Sequence, residues 1–182
     1  MAKVEIPYTQ FFQETMQVMT HDGLLLASLG PTGKPNTMTI GWGVLGAIWG
    51  RPMWVVLVRP SRYTYQCIET TGDFTVNVPP PEMAEIVSFC GTVSGRDHDK
   101  FAEKGLTAQP GRQVKSPSIA ECVIHYECQV VHRNDVIPAQ LDQAIQVSAY
   151  PAGDFHRLYF GEIVAAYADE DAARRLAGGD VR

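Results

Sequence analysis

Residues 59–64, Arg-Pro-Ser-Arg-Tyr-Thr, put two guanidinium groups and two hydroxyls within six positions. Pro60 ends an apolar run over 53–58, and Ser61 has the side chain of a helix N-cap. A strand-to-helix junction offers free backbone N–H groups and the positive end of a helix dipole. Arg59 and Arg62 would add forked donors there, and Ser61 and Thr64 hydroxyls, which is the chemistry a dianionic phosphate requires. The same residues would equally make a capped helix with solvated arginines. Residues 94–101, SGRDHDKF, repeat the recipe. Ser94 and Gly95 suit a tight turn, Arg96 and Lys100 bring positive charge, and Asp97 or Asp99 can cap a following helix. Internal pairing competes with that account, because Asp97 and Lys100 stand at i, i+3 spacing.

Other chemistries find little support. The chain has no GxxxxGK[ST] loop and no GxGxxG after a strand; GWGVLG runs on into apolar residues. It has no GxSxG elbow, and no HxH or HExxH spacing that would indicate a metal site. His125 stands mid-strand near Glu127 and reads as a surface or satisfied interior histidine. His156 opens a strand directly after a Gly153-Asp154 turn, which fits either a surface turn or a site residue. Of the four cysteines, Cys122 and Cys128 lie in one alternating run. A strand would hold them roughly 20 Å apart, too far for a disulfide or a shared metal. With Ile124, Tyr126 and Val130 they would form one buried face.

The elements that must carry these groups alternate between short strands and short helices. Helical spacing of Phe12, Met16 and Met19 predicts a helix over 8–19, with Thr9 as its cap. Strands are predicted over 24–30, 37–42, 74–78, 121–132 and 156–168, and two more apolar runs flank a turn at Gly50-Arg51-Pro52. In 37–42, Met38, Ile40 and Trp42 would share one face. Helices are predicted over 61–72, closed by Gly72, from the prolines at 79–81 to Phe89, and within 169–179. Residues 106–118 read as irregular. Regular βαβ alternation is absent, which excludes a doubly wound parallel sheet. The expectation is a mainly β, Greek-key barrel with short helical insertions.

The chain has 182 residues, 45% hydrophobic and 19% charged, with a net charge of −5. That is one globular domain over 1–182, and it disfavours nucleic-acid binding, which needs a basic face. No apolar run approaches the roughly 18–20 residues that cross a bilayer, and the N-terminus lacks an apolar signal region. The expected location is the cytoplasm, with no membrane partner.

NTMTIGWG, VRPSRYTYQCIE, GDFTVNVP, CGTVSGRDHDKF and HRLYFGEIVA, in this order and spacing, resemble the flavin reductase-like FMN-binding family, above all its flavoredoxin branch. The resemblance covers residues 24–168. It implies a split β-barrel that binds FMN non-covalently, as a homodimer with the flavin near the subunit interface. By that similarity Asn36, Thr37, Met38, Thr39 and Trp42 lie along the isoalloxazine and ribityl chain. Arg59, Ser61 and Thr64 hold the phosphate with Tyr63 close by, and Ser94, Arg96 and Lys100 form a second polar loop. His156 matches a position facing the flavin or nicotinamide, as the candidate catalytic residue. With no dinucleotide fingerprint, any nicotinamide would stack on the flavin. The activities implied are an NAD(P)H-dependent flavin reductase or an FMN electron carrier serving redox protein partners. A cofactor-free dimeric barrel acting as a binding module is the remaining class.

Overall fold

Runs of β-branched and aromatic residues form ten strands among residues 3–177, the span that this computed structural model describes. In chain order the elements are β1 (Lys3–Glu5), α1 (Phe12–His21), β2 (Leu24–Leu29), β3 (Pro35–Ile40), β4 (Gly43–Ile48) and β5 (Arg51–Val58). Then come α2 (Tyr63–Thr71), β6 (Asp73–Val78), α3 (Ala84–Thr92), α4 (Lys100–Lys104), β7 (Ala108–Gln109) and β8 (Ser118–Ile119). The long strands β9 (Ile124–Asp135) and β10 (Arg157–Asp169) follow, with α5 (Gln143–Ala149) between them and α6 (Ala172–Leu176) last.

Seven strands pair in the order β3-β2-β6-β9-β10-β5-β4, and β1 joins the end of β10. Every ladder is antiparallel. The fold is thus mainly β with helical insertions, as the sequence predicts. No ladder joins β3 to β4 among the described residues, so the sheet is not closed. The two edge strands are linked in sequence only by Gly41 and Trp42.

One face of the sheet packs Leu24, Leu26, Trp54, Phe74, Tyr126, Cys128 and Tyr159 into a main core. Burial of each large apolar side chain contributes roughly 1.5–3 kcal/mol. The other face carries a second cluster of Leu25, Ala27, Val87, Cys90, Ile119 and Cys122. Beside it lies a row of buried polar groups: Thr75 opposite Glu127 and Asn77 opposite His125, with Asp73 at the end of β6. The segment 112–119 seats on that row. Glu127 accepts the backbone N–H groups of Arg112 and Gln113 at 2.7 and 2.6 Å and the Tyr167 hydroxyl at 2.9 Å. Asp73 accepts the N–H groups of Lys115 and Ser116 at 3.0 and 3.1 Å. A buried carboxylate is tolerated where N–H groups replace its water, and these loop amides do so. His125 donates from Nδ1 to Asn77 Oδ1 at 2.8 Å, because that oxygen also accepts the Ile119 N–H.

Several sequence-based expectations need correction. Helix α1 begins at Phe12, not near residue 8, and no side chain caps it. A turn over 7–12 takes its place, and Phe12 is exposed while Thr15 and Met19 are buried. Helix α2 begins at Tyr63 with Arg62 as an uncapped N-cap, because the Ser61 side chain bonds elsewhere. The β4–β5 hairpin turns at Trp49-Gly50, both at positive φ, so Arg51 and Pro52 already belong to β5. Trp42 lies past the end of β3. Cys122 precedes β9 and packs in the second cluster, apart from Tyr126 and Cys128. The C-terminal helix ends at Leu176, and its expected continuation to 179 lies outside the described residues from 178 on. Gly72 closes α2 in the left-handed conformation and Asp99 caps α4, as expected.

Gly161 sits where β9 and β10 shift register, and a Cβ there would stand 2.5 Å from Phe74 and 2.8 Å from the Cys128 Cβ. Gly161→Ala should therefore cost about 1–3 kcal/mol of stability, the usual penalty of overpacking a core. Urea unfolding checks this; an unchanged midpoint would show that the two strands absorb a methyl group.

Candidate functional site

Two adjoining cavities open beside the link between β3 and β4. The smaller, about 170 Å³, is walled by Ile40, Gly41, Trp42, Leu57, Arg59 and His156. The larger, about 350 Å³, is lined by Ser61, Tyr63, Thr64, Cys90, Gly91, Ser94, Gly95, Arg96 and Lys100. Met38, Thr39 and Arg62 line both. The first has an apolar and aromatic wall, and the second is rich in hydroxyls, cations and small residues.

Local folding explains how each side chain arrives. β3 ends at Ile40, and its last residues Met38 and Thr39 border both spaces. Thr39 donates to Val87 O at 2.5 Å and so ties β3 to α3. Asn36 and Thr37 are buried behind them: Asn36 donates to Thr64 Oγ1 at 2.8 Å and Thr37 to Leu26 O at 3.2 Å. The start of α2 is thereby registered against β3. A Cβ on Gly95 would stand 2.1 Å from Asn36 Oδ1, so only glycine lets the 94–96 turn come this close. Lys100 is buried, and its ammonium donates to Thr37 O and Cys90 O at 2.9 and 2.7 Å. Burial pushes its pKa below the usual lysine value. The Arg96 guanidinium donates to Ser61 O at 2.8 Å and lies over the Tyr63 ring at 5.5 Å.

The two arginines of the 59–64 segment divide their labour. Arg59 donates to the carbonyls of Ala149, Gly153 and Asp154 at 2.7, 3.4 and 2.9 Å. It clamps the segment after α5 and is not free to face an anion with its whole fork. Ser61 is also committed: its hydroxyl donates to Asp154 Oδ2 at 2.6 Å and its N–H to Oδ1 at 3.2 Å. Arg62 makes no side-chain hydrogen bond or ion pair among the described residues, and it is exposed at the junction of the cavities. The sequence presents Arg59 and Arg62 as equals, and only the long-range partners of Arg59 distinguish them.

His156 is 8% exposed and borders the smaller cavity. Its Nδ1 lies 2.8 Å from the Tyr150 hydroxyl, and the Trp42 ring stands 5.2 Å away. Burial lowers its pKa to about 4, and the Arg59 charge adds to that shift. The ring is therefore neutral near pH 7. Trp42, 49% exposed, forms the outer rim of the same cavity. The structure thus gathers all thirteen predicted positions around two connected spaces, with Asn36 and Thr37 in a supporting layer. Sequence reasoning gave no role to Tyr150 and Asp154, which reach the site through turns and carry no motif. The described residues contain no cluster of three or more metal-ligating side chains.

The chain belongs to the flavin reductase like domain family, whose model matches residues 16–178. Among solved structures it is similar to a flavoredoxin from Methanosarcina acetivorans, at 31% identity and TM-score 0.66, covering 82% of this chain and 69% of that one. A flavoredoxin from Desulfovibrio vulgaris matches at 26% identity and TM-score 0.66, covering 82% of this chain and 70% of that one. An uncharacterised protein of Archaeoglobus fulgidus is 39% identical over 54% of this chain and 55% of its own length. The chain spans just over half the length of the curated relatives it matches first. Among the described residues no helix is long and apolar enough to cross a membrane.

Two outcomes follow for the isolated protein. Arg59→Ala should lower the melting temperature, because three carbonyls of the 149–154 segment lose their donor, while Arg62→Ala should leave it unchanged. Equal melting curves for the two variants would contradict this division. The depressed pKa of His156 makes its contribution to stability full above pH 6.5 and lost as pH falls toward 4, since the unfolded chain takes up the proton first. Urea midpoints between pH 7 and 4 should therefore fall less steeply in His156→Gln than in the parent.

Proposed function

We propose that the chain binds FMN non-covalently and works as a flavin reductase-type oxidoreductase. The observation that carries this reading is the pair of unlike cavities meeting at Met38, Thr39 and Arg62 in a member of the flavin reductase like family. A flat ring system suits the wall of Ile40, Trp42 and Leu57, where a few polar groups fix its orientation. A phosphate suits the larger space. Arg62 has no competing protein partner there, Lys100 keeps one N–H beyond its two carbonyl bonds, and the Ser94 and Thr64 hydroxyls keep their protons to give. The donor set therefore fits the group, with Arg62 replacing Arg59 as the principal guanidinium and with Ser61 hindered by Asp154.

Bound FMN supplies the hydride and electron chemistry. The residues of the chain bind, orient and exclude water. Trp42 covers the outer side of the smaller cavity, His156 stays neutral at its inner wall, and the 94–100 turn brings cationic donors to the other end. The electron donor in this reading is NAD(P)H. The second reading is an FMN electron carrier acting with redox protein partners, and the two flavoredoxins among the similar structures favour it. Under both readings the chain is a homodimer with the cofactor near the interface. The support is the exposed apolar set of Trp42, Val44 and Trp49 along edge strand β4, immediately beside the smaller cavity.

Flavin fluorescence quenching tests the central claim. FMN should bind at least 10-fold more tightly than riboflavin, as expected when a charge-assisted contact is worth roughly 1.5–3 kcal/mol. Arg62→Ala should abolish most of that preference and leave riboflavin binding unchanged. Equal affinities for the two flavins in the parent protein would remove the phosphate site. Anaerobic addition of NADH or NADPH separates the readings: rapid bleaching of bound FMN marks the reductase, and persistence of the colour marks the carrier. Light scattering should give twice the 20.1 kDa chain mass; a monomer with FMN bound would refute the dimer.

A further inference from the structure

We propose that Tyr150 is a positioning residue that holds His156 with its proton on Nε2, so that the smaller cavity presents an N–H donor to its ligand. The Tyr150 hydroxyl lies 2.8 Å from His156 Nδ1, and both residues are buried. That contact takes one ring nitrogen; Nε2 makes no hydrogen bond among the described residues, and His156 lines the smaller cavity.

The direction of the bond follows from the surroundings of the phenol. Phe155 stacks on the Tyr150 ring at 4.7 Å with 25° between planes, which fixes where the hydroxyl points. The Arg59 guanidinium stands 4.9 Å from the same ring. A cation against the ring favours loss of electron density from the hydroxyl and makes the phenol a better donor. A neutral imidazole nitrogen is the stronger acceptor of the pair. The phenol therefore donates to Nδ1, and the single imidazole proton is placed on Nε2. Arg59 and Arg62, both cationic, also face His156 and oppose a second proton, while Asp154 alone among its charged neighbours favours one.

The consequence is a selectivity rule. The site offers a donor at this wall, so it suits a ligand that places a carbonyl oxygen or an unprotonated ring nitrogen there. A ligand presenting N–H would meet donor against donor. The same arrangement gives Arg59 a purpose in the site although its hydrogen bonds all go to carbonyls: it acts through Tyr150. Only the identity of the ligand rests on the flavin reading above; the placement of the proton does not.

Nitrogen NMR of the purified, full-length chain with labelled histidine tests the proposal at pH 7. The His156 signals are assigned by their loss in His156→Gln. The expected result is a neutral ring with the proton on Nε2. Tyr150→Phe should then give a mixture of tautomers and a titration shifted upward from that of the parent. A parent ring protonated on Nδ1 overturns the proposal without any variant, and an unchanged tautomer in Tyr150→Phe overturns the role of the phenol. Adding FMN to the same sample gives an independent arm: no binding would refute the flavin reading, while the tautomer still decides the role of Tyr150.

Discussion

Two buried carboxylates decide whether this sheet can have a second covered face. The segment 112–119 lacks regular structure over most of its length, so its amides need partners that a neighbouring strand would ordinarily supply. Asp73 and Glu127 supply them from within the sheet. With that segment seated, Ile119 and Cys122 complete the small cluster around Leu25, Val87 and Cys90. That cluster in turn supports α3, and α3 holds Thr39 through Val87 O. The position of the β3 end, and with it the wall common to both cavities, thus depends on two carboxylates farther along the same face of the sheet. Removing either would leave buried N–H groups without acceptors, which costs more than the hydrogen bonds contribute when intact.

The sequence is legible where the structure is decided locally. Gly72 ends α2 because a left-handed residue is needed there, and Asp99 caps α4 because its carboxylate reaches an amide three residues on. The β4–β5 pair and the mainly β class follow from apolar runs and turn residues in the same way, whereas the short strands β1, β7 and β8 carry no such signal. Legibility fails where a distant partner competes. Ser61 is a good cap in isolation, yet Asp154 takes its hydroxyl from 93 positions away. His125 reads equally as a surface or an interior histidine, because alternation cannot reveal that an irregular segment will cover that face of the strand. The site shows both cases. The residues that line the two cavities lie in segments that a family resemblance singled out, while the division between Arg59 and Arg62 came only from three carbonyls of residues 149–154.

The site is assembled from parts far apart in the chain. The β3 end and the start of α2 define its polar half, and the turn before β10 brings His156 and the Arg59 clamp to its apolar half. Arg59, Asp154 and Tyr150 stitch these parts together with hydrogen bonds that reinforce one another. The Asn36–Thr64 bond then ties the segment after β5 to β3, where no backbone ladder joins β3 to β4 among the described residues.

The gap also has two unlike margins. At the β3 margin the Thr37 carbonyl is occupied by the ammonium of Lys100, a buried charge that an approaching strand would have to displace. At the β4 margin Val44 is 57% exposed. Unpaired edges invite pairing with other chains, and buried or inward charges are a common deterrent. The two margins therefore differ in how they meet a further strand: Lys100 guards the β3 side, and the β4 side keeps an apolar residue open to a partner.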